Sequence, residues 1–80
     1  MAKENQTIRE RIEMYCPLYS HILLREIKLL KIEKTIIYLS VPGYIAIAEK
    51  RGFLANEIET MEWVYLSTFK ECREIKYEII

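Results

Sequence analysis

The 80-residue chain has few residues that interrupt secondary structure, with only two glycines and two prolines. It also has few side chains of catalytic or metal-binding type, with only two cysteines and one histidine. Aspartate is absent, so every acidic residue is a glutamate. No apolar run approaches the ~18 residues of a membrane-spanning helix. The polar N-terminus also lacks a signal-peptide pattern. We therefore expect a cytoplasmic protein with no membrane partner.

This scarcity excludes most catalytic chemistry. Two isolated glycines make no phosphate-binding loop. Cys16, His21 and Cys72 lack the spacing of a zinc site, and nothing near Cys16, Ser20 or His21 resembles a nucleophile elbow. We expect a non-enzymatic protein with no cofactor, no metal and no small-molecule substrate. Buried thiols are favoured over a disulfide, and His21 is expected to be a partly buried packing residue.

Neither sign of charge is in excess. Lysine plus arginine and the acidic residues both number 12, so the formal net charge is zero. Binding to a nucleic-acid backbone draws on surplus lysine and arginine. Nucleic acid is therefore a disfavoured partner, and an acidic nucleic-acid mimic is equally unsupported.

Apolar side chains are plentiful at 51% of residues, which is enough for one folded domain over residues 1–80. Pro17, Gly52 and the pair at residues 42–43 divide the chain into segments. In the first segment, Thr7 and Glu10 fit a capping box. They predict a helix that begins at Thr7, and Pro17 is expected either to end this helix or to start the next one.

The segment from Leu18 to about Lys34 predicts a second helix, because it is rich in helix-forming residues and has no breaker. Its apolar residues point nearly all the way round such a helix: Ile22, Leu23, Leu24, Ile27, Leu29, Leu30 and Ile32. A helix of this kind is buried on several sides. Since a short chain has little protein to bury it, the segment indicates self-association.

Residues 35–49 are open to two interpretations. The β-branched and aromatic residues at 35–41 are typical of a strand, which could form a hairpin with residues 44–48. A Pro-Gly connection suits the twist of a two-residue hairpin poorly. The apolar spacing from Tyr44, the basic residues at 50–51 and Gly52 instead favour a helix over residues 42–51.

The last segment predicts a long C-terminal helix of about twenty-two residues. Asn56 and Glu59 fit an N-cap with a returning acid. From Ile58 a seven-residue rhythm continues to the end of the chain through Met61, Tyr65, Thr68, Cys72, Ile75 and Ile79.

The opposite flank of this predicted helix carries a second apolar patch. Trp63, Leu66 and Tyr77 lie within about 60° of one another on a helical plot. Burial between other helices is one interpretation of this patch. The other is a binding interface, since Trp, Tyr and Arg are enriched at interface hot spots. The candidate interface residues are Trp63, Leu66, Tyr77, Tyr65 and Phe69.

The sequence therefore predicts a mainly α fold, a compact domain of four or five helices with a helix-turn-helix-like segment and a long C-terminal helix. The alternative is an α+β fold with a β-hairpin at residues 35–49.

Part of the chain resembles the helix-turn-helix signature, through Ala48 at the helix crossing, Gly52 in the turn, and Ile58 and Met61 in the second helix. The resemblance implies DNA binding by the second helix. That helix, however, carries glutamates at positions 57, 59 and 62, which would repel phosphate. The nucleic-acid residues under this hypothesis are Arg25, Lys28, Lys31, Lys50 and Arg51.

The favoured function is a protein–protein interaction or oligomerising regulatory module that presents an aromatic helix face, with a protein partner or a homo-oligomer, a dimer being the expected form. The alternatives are a helix-turn-helix transcriptional regulator and a small viral protein that inhibits a host factor.

Overall fold

The described residues form an α+β fold of four helices and a three-stranded sheet. The structure, a computed structural model, describes residues 2–52 and 54–80, with side chains from residue 7 onward. Its elements in chain order are α1 (Ala2–Tyr15), α2 (Ser20–Glu26), β1 (Lys28–Glu33), β2 (Ile36–Val41), α3 (Gly43–Lys50), α4 (Ala55–Thr68) and β3 (Glu74–Ile79). The prediction of a mainly α, all-helical protein is wrong, and the α+β alternative is confirmed. Among the described residues, no helix has both the length and the apolar character needed to cross a bilayer.

The strands form one sheet in the order β1-β2-β3. β1 and β2 are antiparallel and joined by a two-residue loop, Lys34 and Thr35. Lys34 has φ 57°, in the left-handed region that tight hairpin loops need. The predicted strand at residues 35–41 is thus confirmed as β2. Its hairpin partner is β1, whereas residues 44–48, the partner predicted by the α+β alternative, lie in helix α3.

The helix predicted from Leu18 to Lys34 is helical only over α2, and its second half is wrong because residues 28–33 form β1, which contains a β-bulge. Leu29 pairs with Leu39 and Ile32 pairs with Ile37, and the register shifts between Leu29 and Lys31. The bulge lets two residues three positions apart face the same side of the sheet. That spacing is also the spacing of a helix face, so a strand imitates a helical pattern here.

The predicted long C-terminal helix is also wrong, because α4 ends at Thr68 and the chain returns as a strand. The Cys72 amide donates to the Phe69 carbonyl at 2.9 Å, which closes a turn after the helix. β3 then runs parallel to β2, with Ile36 opposite Glu74. The heptad positions at 72, 75 and 79 therefore belong to a loop and a strand.

One face of the sheet is covered by the helices and forms the core. Ile37 and Leu39 of β2 are fully buried, as are Met61 and Val64 of α4. Burying one such side chain contributes about 1.5–3 kcal/mol relative to exposure. The other face is open, and its exposed residues are Lys28, Lys31, Glu33, Glu74, Lys76 and Glu78.

The helix ends confirm some predictions and correct others. α3 covers the helix predicted at residues 42–51, and Gly52 follows it with φ 88°, which only glycine adopts at low cost. Thr7 lies inside α1, because the preceding residues continue the helix. The N-cap of α4 is Leu54 with φ 64° and no side-chain cap, so Asn56 is not the cap.

Candidate functional site

The helices α1 and α4 pack side by side and run antiparallel. Near the end of α4, Thr68 accepts a hydrogen bond from Arg11 Nη1 at 2.8 Å. At the end of α1, the Cys16 thiol donates to the carbonyl of Glu57, in the first turn of α4, at 3.8 Å. As the chain advances along α1 from Arg11 to Cys16, its contacts on α4 move back from Thr68 to Glu57, so the two helices are antiparallel. This arrangement determines which outward-facing side chains of the two helices meet.

Between these contacts lies an exposed aromatic pair. The rings of Tyr15 and Trp63 meet edge to face, with centroids 5.1 Å apart and an interplanar angle of 84°. Tyr15 is 48% exposed and Trp63 is 49% exposed. Leu18, just beyond α1, is 79% exposed. We call Arg11, Tyr15, Leu18 and Trp63 the aromatic surface.

Arg11 holds the indole in place. Its guanidinium carbon lies 5.0 Å from the centroid of the Trp63 ring, within the range of a cation–π interaction. The bond to Thr68 uses one of the five N–H donors of the guanidinium. Within the described part of the chain, no carboxylate forms an ion pair with Arg11. Among the side chains from residue 7 onward, the Arg11 guanidinium thus bonds to Thr68 and lies over the Trp63 ring.

A shallow cleft of about 220 Å³ adjoins the aromatic surface. Tyr15 and Leu18 line it together with Cys16, Pro17, Tyr19, Asn56, Glu57 and Thr60. Burial, with a smaller contribution from the Glu57 charge, raises the pKa of the Cys16 thiol. A thiol with a raised pKa is a poor nucleophile, so Cys16 serves packing and the cleft offers shape and apolar area.

The five predicted interface residues do not form one surface. Trp63 is exposed, Tyr65 is buried, and Leu66, Phe69 and Tyr77 are partly buried against the core. The common helix flank predicted for Trp63, Leu66 and Tyr77 does not exist, because Tyr77 lies on β3. Of the predicted set, only Trp63 belongs to the aromatic surface.

The side chains of Tyr77 and Tyr65 make contacts inside the fold and do not form a binding surface. The Tyr77 hydroxyl donates to the Glu62 carboxylate at 2.6 Å, which ties β3 to α4. Burial and this hydrogen bond raise the pKa of Tyr77 well above its usual range. Burial also raises the pKa of Tyr65, whose ring stacks on Phe69 with centroids 6.5 Å apart.

The predicted nucleic-acid residues are split between three places. Arg25 and Lys28 line a cleft of about 400 Å³ with Arg9, Glu13, Ser20, His21 and Leu24. Lys31 lies on β1, 4.9 Å from the Tyr38 ring centroid. Lys50 and Arg51 are at the end of α3. His21 is exposed, so its prediction as a partly buried packing residue is wrong.

In the segment that resembles a helix-turn-helix, α3 is followed by a turn at Gly52 and by α4. The second helix, however, packs against α1, α3 and β3. Its three acids have different environments: Glu57 lines the cleft, Glu59 is exposed, and Glu62 accepts from Tyr77. The helix that would read DNA is therefore a central packing element here.

The cysteines are both free and buried, as predicted. In the part of the chain that the structure describes, no three side chains of metal-ligating type come together. Cys16 and Cys72 thus belong to the core.

Similarity to known proteins gives no guide to the site. The chain matches no protein-family model, no curated protein and no solved structure. The assignment of a function therefore depends on the geometry of the aromatic surface and on its chemistry.

Arg11, Tyr15 and Leu18 were missed by sequence reasoning. Arg11 and Tyr15 are one helical turn apart on α1, a spacing that places them on one face. Their proximity to Trp63 depends on the packing of α1 against α4, which no local pattern gives.

Proposed function

We propose that the protein is a non-enzymatic protein-binding module that docks a short segment of another protein on the aromatic surface. The observation that carries the proposal is the half-exposed Trp63, fixed between Tyr15 and Arg11. Tryptophan, tyrosine and arginine are the residue types most enriched at binding hot spots. Here all three meet on one exposed face.

The contacts that hold Trp63 support a role in binding, and they distinguish it from an exposed side chain that contacts nothing. An anchor side chain that is already ordered loses less conformational entropy when a partner docks. Trp63 contacts a ring on one side and a guanidinium on another, and that guanidinium is itself bonded to Thr68. The surface is thus organised before any ligand arrives.

The chemistry of the partner follows from Arg11. Its remaining N–H donors suit a carboxylate, which can accept two parallel hydrogen bonds from one guanidinium. The rings and Leu18 suit an apolar side chain. The fitting ligand is a peptide segment in which an apolar residue lies close to an aspartate or glutamate.

A peptide selection tests this proposal. Random displayed peptides are selected on the wild-type protein, and binders without tryptophan are titrated while the emission of Trp63 is followed. Trp63 is the only tryptophan of the chain, so its emission reports this surface directly. We expect the selected peptides to combine an apolar residue with an acid and to shift that emission.

Variants measured by calorimetry complete the test. Trp63→Ala should weaken the selected peptides by about thirtyfold or more. Arg11→Gln should weaken acidic peptides more than versions in which the acid is replaced by an amide. Tyr44→Ala is the matched control, since Tyr44 is another exposed aromatic residue, 57% exposed, on α3. Equal affinity of the peptides for wild type and Trp63→Ala would refute the proposal.

Nucleic-acid binding is a second candidate, supported by the cleft at Arg9, His21, Arg25 and Lys28. Glu13 also lines this cleft, and Arg25 Nε pairs with Glu26 at 2.9 Å, which reduces the free positive charge.

A gel-shift titration over several salt concentrations decides this candidate. Binding through phosphates should fall steeply with salt and weaken further in Arg25→Gln/Lys28→Gln. A Lys50→Gln/Arg51→Gln protein is the control on another surface, and failure to retain duplex at low salt removes the candidate.

A further inference from the structure

The outer edge of β3 presents a regular row of backbone groups. β3 pairs with β2 on one side, and no strand among the described residues lies on the other side. The amides of Glu74 and Ile80 donate inward, toward β2 and the loop before it. Because neighbouring residues of a strand point opposite ways, the N–H and C=O groups of Ile75, Tyr77 and Ile79 point outward.

The charges on the open face of β3 alternate, as Glu74, Lys76 and Glu78. In an antiparallel pair of two such strands centred on Tyr77, each Lys76 lies opposite Glu78 of the other copy. Symmetry makes this favourable pair twice, and opposite charges directly across a strand pair stabilise it. The outward backbone groups of Ile75, Tyr77 and Ile79 then meet one another.

The neighbouring registers are worse. A pair centred on Lys76 sets lysine against lysine and each Glu74 against Glu78, and a pair centred on Glu78 sets glutamate against glutamate. Like charges directly opposite destabilise a strand pair. A pair centred on Ile75 restores opposite charges but leaves the second half of the strand unpaired. Charge and the length of paired strand together select one register.

The covered face of the sheet agrees with that register. Ile79 is 66% exposed although its side chain belongs to the apolar face of β3. Pairing centred on Tyr77 places Ile75 of the other copy directly opposite Ile79. The second copy therefore covers an apolar side chain that the single chain leaves in water.

We propose that a second copy of this chain is the partner of the β3 edge, in an antiparallel pair centred on Tyr77. The dimer has one continuous six-stranded sheet, with the helices of both copies on the same face. Its interface is separate from the aromatic surface, so it does not depend on the proposed function.

Charge variants test the register. Sedimentation of wild type from about 10 μM to about 1 mM should show a monomer–dimer equilibrium. Glu78→Lys sets lysine against lysine twice and should weaken the dimer about tenfold or more. The double variant Lys76→Glu/Glu78→Lys restores opposite charges and should return the affinity to within about threefold. Glu33→Lys, on the other outer strand, is the matched control, and circular dichroism checks that each variant folds.

Amide exchange adds a readout that is specific to the edge. The amides of Tyr77 and Ile79 should exchange quickly in dilute protein and become protected as the concentration rises, because they point outward. The amides of Lys76 and Glu78 point toward β2 and should be protected throughout. Trp63→Ala should leave this behaviour unchanged.

Three results would overturn the proposal. The wild-type protein could stay monomeric over the whole range, as expected if another protein's strand occupies this edge. Glu33→Lys could dissociate the dimer as much as Glu78→Lys does. The double charge exchange could fail to restore association in a folded protein.

Discussion

The strands β1 and β3 both form outer edges of the sheet, but β1 is bulged and β3 is regular. In β1 the extra residue Leu30 interrupts the pairing with β2. In β3 all six residues keep an unbroken register with β2. A bulge twists an edge and breaks its row of hydrogen-bonding groups, whereas a regular edge is a template for another strand.

The comparison shows that one sheet can have an edge that resists pairing with another strand and an opposite edge that is suited to such pairing. β1 carries lysines at positions 28 and 31, and lysine on an outer strand opposes uncontrolled pairing. β3 carries Lys76 between two glutamates, which opposes the registers centred on Lys76 and Glu78 and favours the full-length register centred on Tyr77. A charge pattern can therefore limit strand pairing to a single partner.

The largest effect is expected at the strand that both edges share. Leu39 is fully buried and pairs with Leu29 on β1 and Tyr77 on β3. Leu39→Ala should lower the free energy of unfolding by about 2–5 kcal/mol, because it leaves a cavity under both edges. Chemical denaturation measures the loss. A loss below about 1 kcal/mol would mean that the centre of the sheet is not the core.

Deleting Leu30 should make the two edges alike. The remaining residues of β1 alternate correctly, with Leu29 and Ile32 toward the core and Lys31 between them. We expect a folded protein within about 2 kcal/mol of wild type, but with a flat second edge. Light scattering should then show assemblies larger than those of wild type. If the deletion unfolds the chain, the bulge is needed for folding and not only for edge protection.

Tyr77→Phe should weaken the attachment of β3 to α4. The lost hydrogen bond to Glu62 should cost about 1 kcal/mol at neutral pH. Because the folded state raises the pKa of Tyr77, its contribution is complete below pH about 10 and is lost as the pH rises above that value. The stability difference between wild type and Tyr77→Phe should therefore narrow at alkaline pH. A difference that stays constant from neutral to alkaline pH would contradict this account.

The smallest effect is expected on the open face of β1. Lys31 lies over the Tyr38 ring at 4.9 Å and pairs with Glu33 at 3.5 Å. Lys31→Gln should cost about 0.5 kcal/mol, since both interactions are exposed. Thermal unfolding at low and high salt separates them, because salt screens the ion pair. A loss above about 1.5 kcal/mol would show that Lys31 also holds the bulge.

Some of the fold could be predicted from the sequence. The helix over residues 43–50 and its glycine end were predicted, because the apolar spacing, the basic last turn and Gly52 all agree. The strand at 36–41 was recognised as one of two alternatives. At the candidate site, Trp63 was identified as part of an apolar patch predicted with Leu66 and Tyr77, because tryptophan is enriched at interface hot spots.

The strands β1 and β3 could not be predicted by the same reasoning, for two physical reasons. The bulge gives β1 the spacing of a helix face, and the hairpin loop at Lys34 has no glycine or asparagine to mark it. Residues 74–79 do alternate strictly between polar and apolar, a strand signal. The strand was not predicted because Cys72, Ile75 and Ile79 also continue the seven-residue repeat of α4. In addition, no glycine or proline after Thr68 marks the end of the helix.

The separation of the paired strands along the chain has a consequence for the order of folding. β1 and β2 are joined by two residues, so their hairpin closes with little loss of chain entropy. β2 and β3 pair Ile36 with Glu74, across nearly half the chain, and contacts that distant form slowly. We therefore expect the hairpin to form before residues 74–79 dock, which leaves one side of β2 bare in the meantime. Until they dock, the strand most exposed to misassembly is the one that ends up at the centre of the sheet.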